Sequence, residues 1–262
     1  MVIITEHTNH IDKKRFSYAC SQYNAAKADR KSPSIGALGE KSLHAVLKWY
    51  YEPDGSRHEI PVGEYIADIV GEDGVIEIQT RNFSRLKPKL TGLLALCRVT
   101  VVHPVIVSKR VISIDAATGE FISSRVSPKH ASLYTEMREL YTLRELLDSD
   151  RLTLRFPLLT ADEYRTFGVS TRRRKKQRTR RGEYVSDVMP TDIVGEIVLS
   201  EPSDYAALIP DGLPPEFSAA DFARTAATAA GNARMAIHLL VSMNLAQPSG
   251  RQGNRRLYRL VE

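Results

Sequence analysis

Cysteine is nearly absent: Cys20 and Cys97 are the only two in 262 residues. A disulfide framework is thereby excluded, and two lone thiols build no metal cluster of their own. Such usage suits a reducing compartment. Long apolar runs are missing as well. Stretches such as 93–96 and 99–102 fall far short of the about 20 residues that cross a bilayer as a helix. Residues 1–15 carry no apolar core behind a basic start, so no secretory leader is expected. The expectation is a soluble, cytoplasmic protein with no membrane partner.

A uniform charge of one sign is also lacking. Lys and Arg number 37 and Asp and Glu 31, for a net charge of +6. The excess sits in one place. Arg172, Arg173, Arg174, Lys175, Lys176, Arg178, Arg180 and Arg181 fall within ten residues, and without them 29 basic residues face 31 acidic ones. The run has no apolar residue to bury, so it predicts a solvated loop or hairpin tip. It suits phosphate contact that ignores base sequence and weakens with salt. A merely solvated charged face fits the same run.

Hydrophobic residues make up 42% and charged residues 26%, an ordinary globular composition. The pattern divides the chain into a polar extension (1–34), a mixed α/β core (35–150), a strand-rich region (151–201), a proline-rich linker (202–216) and a C-terminal module (217–262). Helical spacing begins near Ile35 with Leu38, Leu43, Val46 and Leu47. Two β-rich runs, 64–70 and 75–80, flank Gly71-Glu72-Asp73-Gly74 and predict a hairpin. A helix is expected from Ser84 to Leu96, with Pro88 in its first turn. Strands are expected at 99–107, 111–114 and 120–123, then a helix at 133–147. Further strands are expected at 152–159 and 192–199.

The hairpin carries the chemistry. Asp68 lies on its first strand, and Glu77-Ile78-Gln79 on its second. Glu77 and Gln79 share a face, because they are two apart, and Ile76 and Ile78 face the core. Two carboxylates at one sheet edge offer the oxygen ligands that Mg²⁺ takes, with the backbone carbonyl of Ile78 as a further ligand. Glu40, on the preceding helix, would complete the site. His44 and His58 have no ligand spacing and read as surface or packing histidines. Equally, acids on neighbouring strands are common on solvated sheet faces.

Glu40, Asp68 and Glu77-Ile78-Gln79 together resemble the PD-(D/E)XK nuclease superfamily, over roughly residues 35–125. The match is to the variety with glutamine where lysine is usual, as in competence-associated nucleases. The resemblance implies a restriction-endonuclease-like mixed sheet flanked by helices. It also implies cleavage of phosphodiester bonds by water with Mg²⁺ or Mn²⁺. Asp68, Glu77 and the Ile78 carbonyl would hold the metal, and Gln79 would orient the water. Gln79 cannot replace an ammonium, so Lys87, Lys89 or Arg81 is expected to supply the missing positive charge.

In the last segment Ser218 is a good N-cap, with Asp221 at the third position. Helix, turn, helix and a glycine-containing basic strand pair resemble a winged helix-turn-helix domain. Arg234 and His238 would project from the recognition helix. Arg251, Arg255 and Arg256 would touch phosphates from the wing. The first helix such a domain needs is not obvious; only 204–208 offers a short one. Dimerisation, or packing on the core, is the alternative use. The combined expectation is a Mg²⁺-dependent DNA endonuclease, near the nucleoid, with a homodimer as one assembly. The alternative is a DNA-binding regulator with a degenerate nuclease core.

Overall fold

The computed structural model describes residues 11–28, 42–167 and 184–261. Their arrangement is mixed α/β: a large sheet of parallel and antiparallel strands with helices on both faces. The first elements are helices α1 (Lys13–Ala28) and α2 (Ser42–Tyr51), then strands β1 (His58–Val62), β2 (Tyr65–Gly71) and β3 (Gly74–Ile78). Helix α3 (Phe83–Leu96) leads to β4 (Val99–Val102), β5 (Val105–Asp115) and β6 (Phe121–Val126). A short helix α4 (Met137–Thr142) precedes two long strands, β7 (Leu152–Phe167) and β8 (Tyr184–Leu199).

β1, β2 and β3 form an antiparallel meander, and β3 then pairs in parallel with β4. The crossover from β3 to β4 is α3, as a parallel connection requires. β4 and β5 line one edge of β7 in succession, both parallel to it, and β8 takes the other edge.

Alternation along the strands splits the core in two. Ile69, Ile78, Val102, Leu159 and Ile193 pack beneath α1 and α2 with Phe16, Val46 and Leu47. Val75, Val101, Leu154 and Leu158 pack beneath α3 and α4 with Leu90, Leu93 and Leu140.

Several expectations are corrected here. Part of the polar N-terminal extension is a core helix, since Phe16 and Ala19 of α1 are buried. β1 forms where no strand is expected from the sequence, because Pro61 and charged neighbours mask an edge strand. Pro88 is the sixth residue of α3, past its first turn. The helix expected at 133–147 is a 3-10 turn (Leu133–Glu136), then only α4.

The C-terminal elements are β9 (Glu216–Ser218), α5 (Ala219–Thr225), α6 (Ala230–Ser242), β10 (Ala246–Gln252) and β11 (Arg255–Leu260). The three strands form a second sheet in the order β10-β11-β9. The Ser218 N-cap forms a full capping box with Asp221. β10 carries a bulge between Pro248 and Gly250. Residues Pro202–Leu208 are a 3-10 helix with Tyr205 and Leu208 buried, so this stretch is no free linker. Phe217, Phe222, Leu239 and Leu240 belong to the same core as Leu90 and Leu140. The module is thus fused to the sheet layer.

Among the described residues no helix is long and apolar enough to cross a membrane. The basic run between residues 172 and 181 lies outside the described residues, in the segment that joins β7 to β8.

Candidate functional site

The β2–β3 hairpin is regular at its turn: Gly71 pairs with Gly74, Val70 with Val75 and Ile69 with Ile76. Gly74 closes the turn with φ 128, and a Cβ there would strike the backbone carbonyl of Arg98. One step beyond Ile69 and Ile76 the backbone pairing stops and side chains take over. The Ile78 N–H donates to Asp68 Oδ2 at 2.8 Å, and the Asp68 N–H donates to Glu77 Oε1 at 3.3 Å. Two residues apart on one strand should share a face. Ala67 nevertheless belongs to the α3-side core and Ile69 to the α2-side core. The strand therefore changes face at Asp68. On β1, Glu59 holds an uncommon φ of 56 and pairs with Lys48 at 2.9 Å.

Each acid has a cationic or polar neighbour. His44, in the first turn of α2, sits with Nε2 3.2 Å from Asp68 Oδ2. Lys89 of α3 donates to Glu77 Oε2 at 2.5 Å and to the Ile66 carbonyl at 2.7 Å. α3 can approach this closely because residue 92 is glycine: a Cβ there would collide with the Tyr65 hydroxyl.

The two carboxyls respond oppositely to this setting. Burial disfavours charge on Asp68, but His44, the Ile78 N–H and Lys89 outweigh it and hold the carboxyl below its usual pKa. Glu77 is only 4% exposed. Burial, with the nearby Asp68 charge, pushes its carboxyl above the usual range despite Lys89.

Of the expected residues, the structure brings together Asp68, Glu77 and Lys89. Lys87, two residues from Lys89 and so about 200° round the helix, instead pairs with Glu145 at 2.6 Å. Arg81 is exposed and contributes only its carbonyl. That carbonyl and the one of Asn82 accept from the Gln79 amide at 2.5 and 3.2 Å. The Gln79 amide therefore braces the start of α3 rather than facing the carboxylates. Its main-chain carbonyl accepts from His103 Nδ1 at 2.5 Å. Glu40 lies outside the described residues. His44, expected as a surface or packing histidine, is instead a neighbour of Asp68; its four-residue spacing from Glu40 matches one helical face.

Among the described residues no three His, Cys, Asp or Glu groups are arranged to hold a metal ion. The pair nonetheless fits the mode in which Mg²⁺ is bound by one or two carboxylates with retained waters and a substrate phosphate. The hydrogen bonds to Asp68 fall on Oδ2. Glu77 takes the ammonium of Lys89, and Asp68 faces the ring of His44.

In the C-terminal module Arg234 and His238 are exposed on α6, but the His238 ring packs edge-on against Tyr141, 5.3 Å between centroids. Arg144 covers the same tyrosine ring at 4.9 Å. His238 is therefore a contact to the α4 region and not an open groove residue. Arg251, Arg255 and Arg256 are exposed at the tip of the β10–β11 hairpin, where Gly253 turns with φ 60. Arg251 and Arg256 are direct cross-strand partners.

Fold and site together define a three-layer mixed α/β protein with paired acids at the open end of a hairpin. The chain belongs to the family described as domain of unknown function (DUF8091), whose model matches residues 41–200. That stretch carries β1 to β8, with Asp68, Glu77 and Lys89, and stops before the C-terminal module. A similar chain is an "Uncharacterized protein" of Treponema pallidum (strain Nichols), 30% identical over 228 residues, covering 86% of this chain and 87% of that protein. No solved structure matches.

Proposed function

We propose that this protein is a Mg²⁺- or Mn²⁺-dependent deoxyribonuclease, working on DNA in the cytoplasm. The observation that carries the reading is the Asp68–Glu77–Lys89 grouping at the splayed end of β2 and β3. In this reading Lys89, reaching Glu77 from α3, would take the part of the lysine that the motif lacks at residue 79.

Asp68, the carboxylate of lower pKa, and Glu77 would hold the cation. When bound, such a cation lowers the pKa of a water ligand and offsets charge on phosphorus. The chain's own residues set the geometry. His44 and the Ile78 N–H fix the Asp68 carboxylate, while the Asp68 N–H and Lys89 fix that of Glu77. Lys89 also provides an ammonium for the charge that builds on the phosphate oxygens in the transition state. The basic run and the wing arginines would hold the backbone.

The experiment is incubation of purified protein with plasmid and Mg²⁺ or Mn²⁺. Nicking or linearisation that Asp68→Asn and Glu77→Gln each abolish is the expected result. No cleavage with either metal, or cleavage unchanged in both variants, refutes it.

A second reading is a DNA-binding regulator without catalysis. One observation favours it: the Gln79 amide is spent on the Arg81 and Asn82 carbonyls. It would show as DNA retention that neither chelator nor Asp68→Asn alters, with no cleavage.

A further inference from the structure

The carboxyl ends of parallel β3 and β4 open into a cavity of about 520 Å³. Ligands of open α/β sheets sit in such crevices, and the volume is that of a small-molecule pocket. Thr80 lines it, so it begins one residue after Gln79. Its sides include the apolar Leu43, Pro104 and Ile106.

The rim is basic. Lys129 and His130 are exposed there, and the Lys129 side chain makes no hydrogen bond or ion pair among the described residues. Lys109 reaches this rim while pairing with Glu163, which also accepts from Arg165. Inside stands a fixed acceptor. Glu136 Oε2 faces Nε2 of the buried His103 at 3.1 Å, and Thr135 donates to Glu136 Oε1 at 3.0 Å. Cations at the mouth, apolar walls and an inner carboxylate match a phosphate, the faces of a base and an exocyclic amino group. The cavity has room for a nucleotide.

We propose that this cavity takes a single unpaired nucleotide of the DNA, base inward and phosphate at Lys129, beyond the carboxyl end of the strand that carries Glu77. The proposal rests on the nuclease reading and deepens it. It makes the substrate DNA with an unpaired nucleotide near the cut, such as a single-stranded end, flap or mismatch, because a base must leave its stack to enter.

The test uses the full-length protein and 2′-deoxycytidine 5′-monophosphate, titrated by saturation-transfer NMR in EDTA. Binding is expected for the wild type. Lys129→Glu should weaken it about tenfold by removing a charge-assisted contact. Ala131→Phe, which fills the cavity, should abolish it with the thermal midpoint retained. Cleavage assays should then favour flap-bearing DNA over continuous duplex. No binding to the wild type, binding equal in all three proteins, or equal cleavage of flap and duplex overturns the proposal. If plasmid cleavage is absent but nucleotide binding follows the variants, the nuclease reading falls and the nucleotide site stands. If cleavage is present and both variants bind as the wild type does, the nucleotide site falls and the nuclease reading stands.

Discussion

Lys89 Nζ lies 2.5 Å from Glu77 Oε2 and donates also to the Ile66 carbonyl, so one ammonium ties α3 to both strands of the hairpin. Removing it leaves a buried acid without its cation. Breaking such a pair by taking one partner costs up to about 3–5 kcal/mol, and the partial exposure of Lys89 puts the expectation at the low end or below. Lys89→Ala should therefore lower stability in urea melts. Under the nuclease reading it should also reduce plasmid cleavage about 10²–10³-fold, the usual loss for one charge-stabilising donor. Lys89→Arg should recover part of the stability but little activity, because a planar fork cannot occupy an ammonium's position. Cleavage that Lys89→Ala leaves intact removes Lys89 from the mechanism.

The hairpin itself was legible because its signal is local. Gly71 to Gly74 announce a turn, and the β-rich runs on either side put Asp68 and Glu77 on neighbouring strands. Which cation serves them was not legible. Lys87, Lys89 and Arg81 are equivalent by spacing, and only the phase of α3, set by its buried Phe83, Leu86, Leu90 and Leu93, selects Lys89. α1 stayed hidden for a similar reason. Phe16 and Ala19 are buried on a helix that has almost no apolar stripe, so its place in the core is decided by partners far along the chain. The union of the C-terminal module with the sheet is likewise a long-range fact. Prolines 202, 210, 214 and 215 read as a linker, yet Tyr205 and Leu208 are buried between the layers.

That union has a thermodynamic consequence. Phe222 is fully buried, and its ring meets Tyr134, which precedes α4, with centroids 6.0 Å apart. Phe222→Ala should cost about 3–5 kcal/mol, as for other buried aromatic truncations. Because the core is shared, calorimetry should show one unfolding transition, and the variant should shift all of it. Two transitions, with only one moved, would mean that module and sheet fold apart.

Glu163 lies between two cations on neighbouring strands. It accepts from Lys109 of β5 and, at 2.7 Å, from Arg165 of β7, its own strand. Burial opposes its charge, but the two cations prevail and hold the carboxyl below its ordinary pKa. A lowered folded-state pKa means stability that is present above the unfolded value, about 4.3 for glutamate, and lost as pH falls through the folded value. Glu163→Gln should thus be less stable than wild type at pH 7, by about 1–3 kcal/mol after allowance for partly exposed cations. The gap should close as the pH is lowered below about 4. Urea midpoints measured across that range check it; a gap that widens in acid contradicts the assignment.

Arg251 and Arg256 stand directly opposite each other across the β10–β11 hairpin, both exposed. Like charges in that position are destabilising, by about 0.2–1 kcal/mol relative to a neutral pair. An external anion between them would reverse the sign. In the free protein Arg256→Gln should therefore raise the thermal midpoint slightly at low salt and leave it unchanged at high salt, where the repulsion is screened. On DNA the effect should be opposite. Each phosphate contact contributes about 0.9 to the slope of log K against log salt, so replacing both arginines should flatten that slope by about 1.8 and weaken binding across sequences alike. Fluorescence anisotropy with two unrelated duplexes at several salt concentrations measures both quantities. A slope that stays the same in the double variant would assign the wing no phosphate contact, and a loss confined to one duplex would assign it base readout instead.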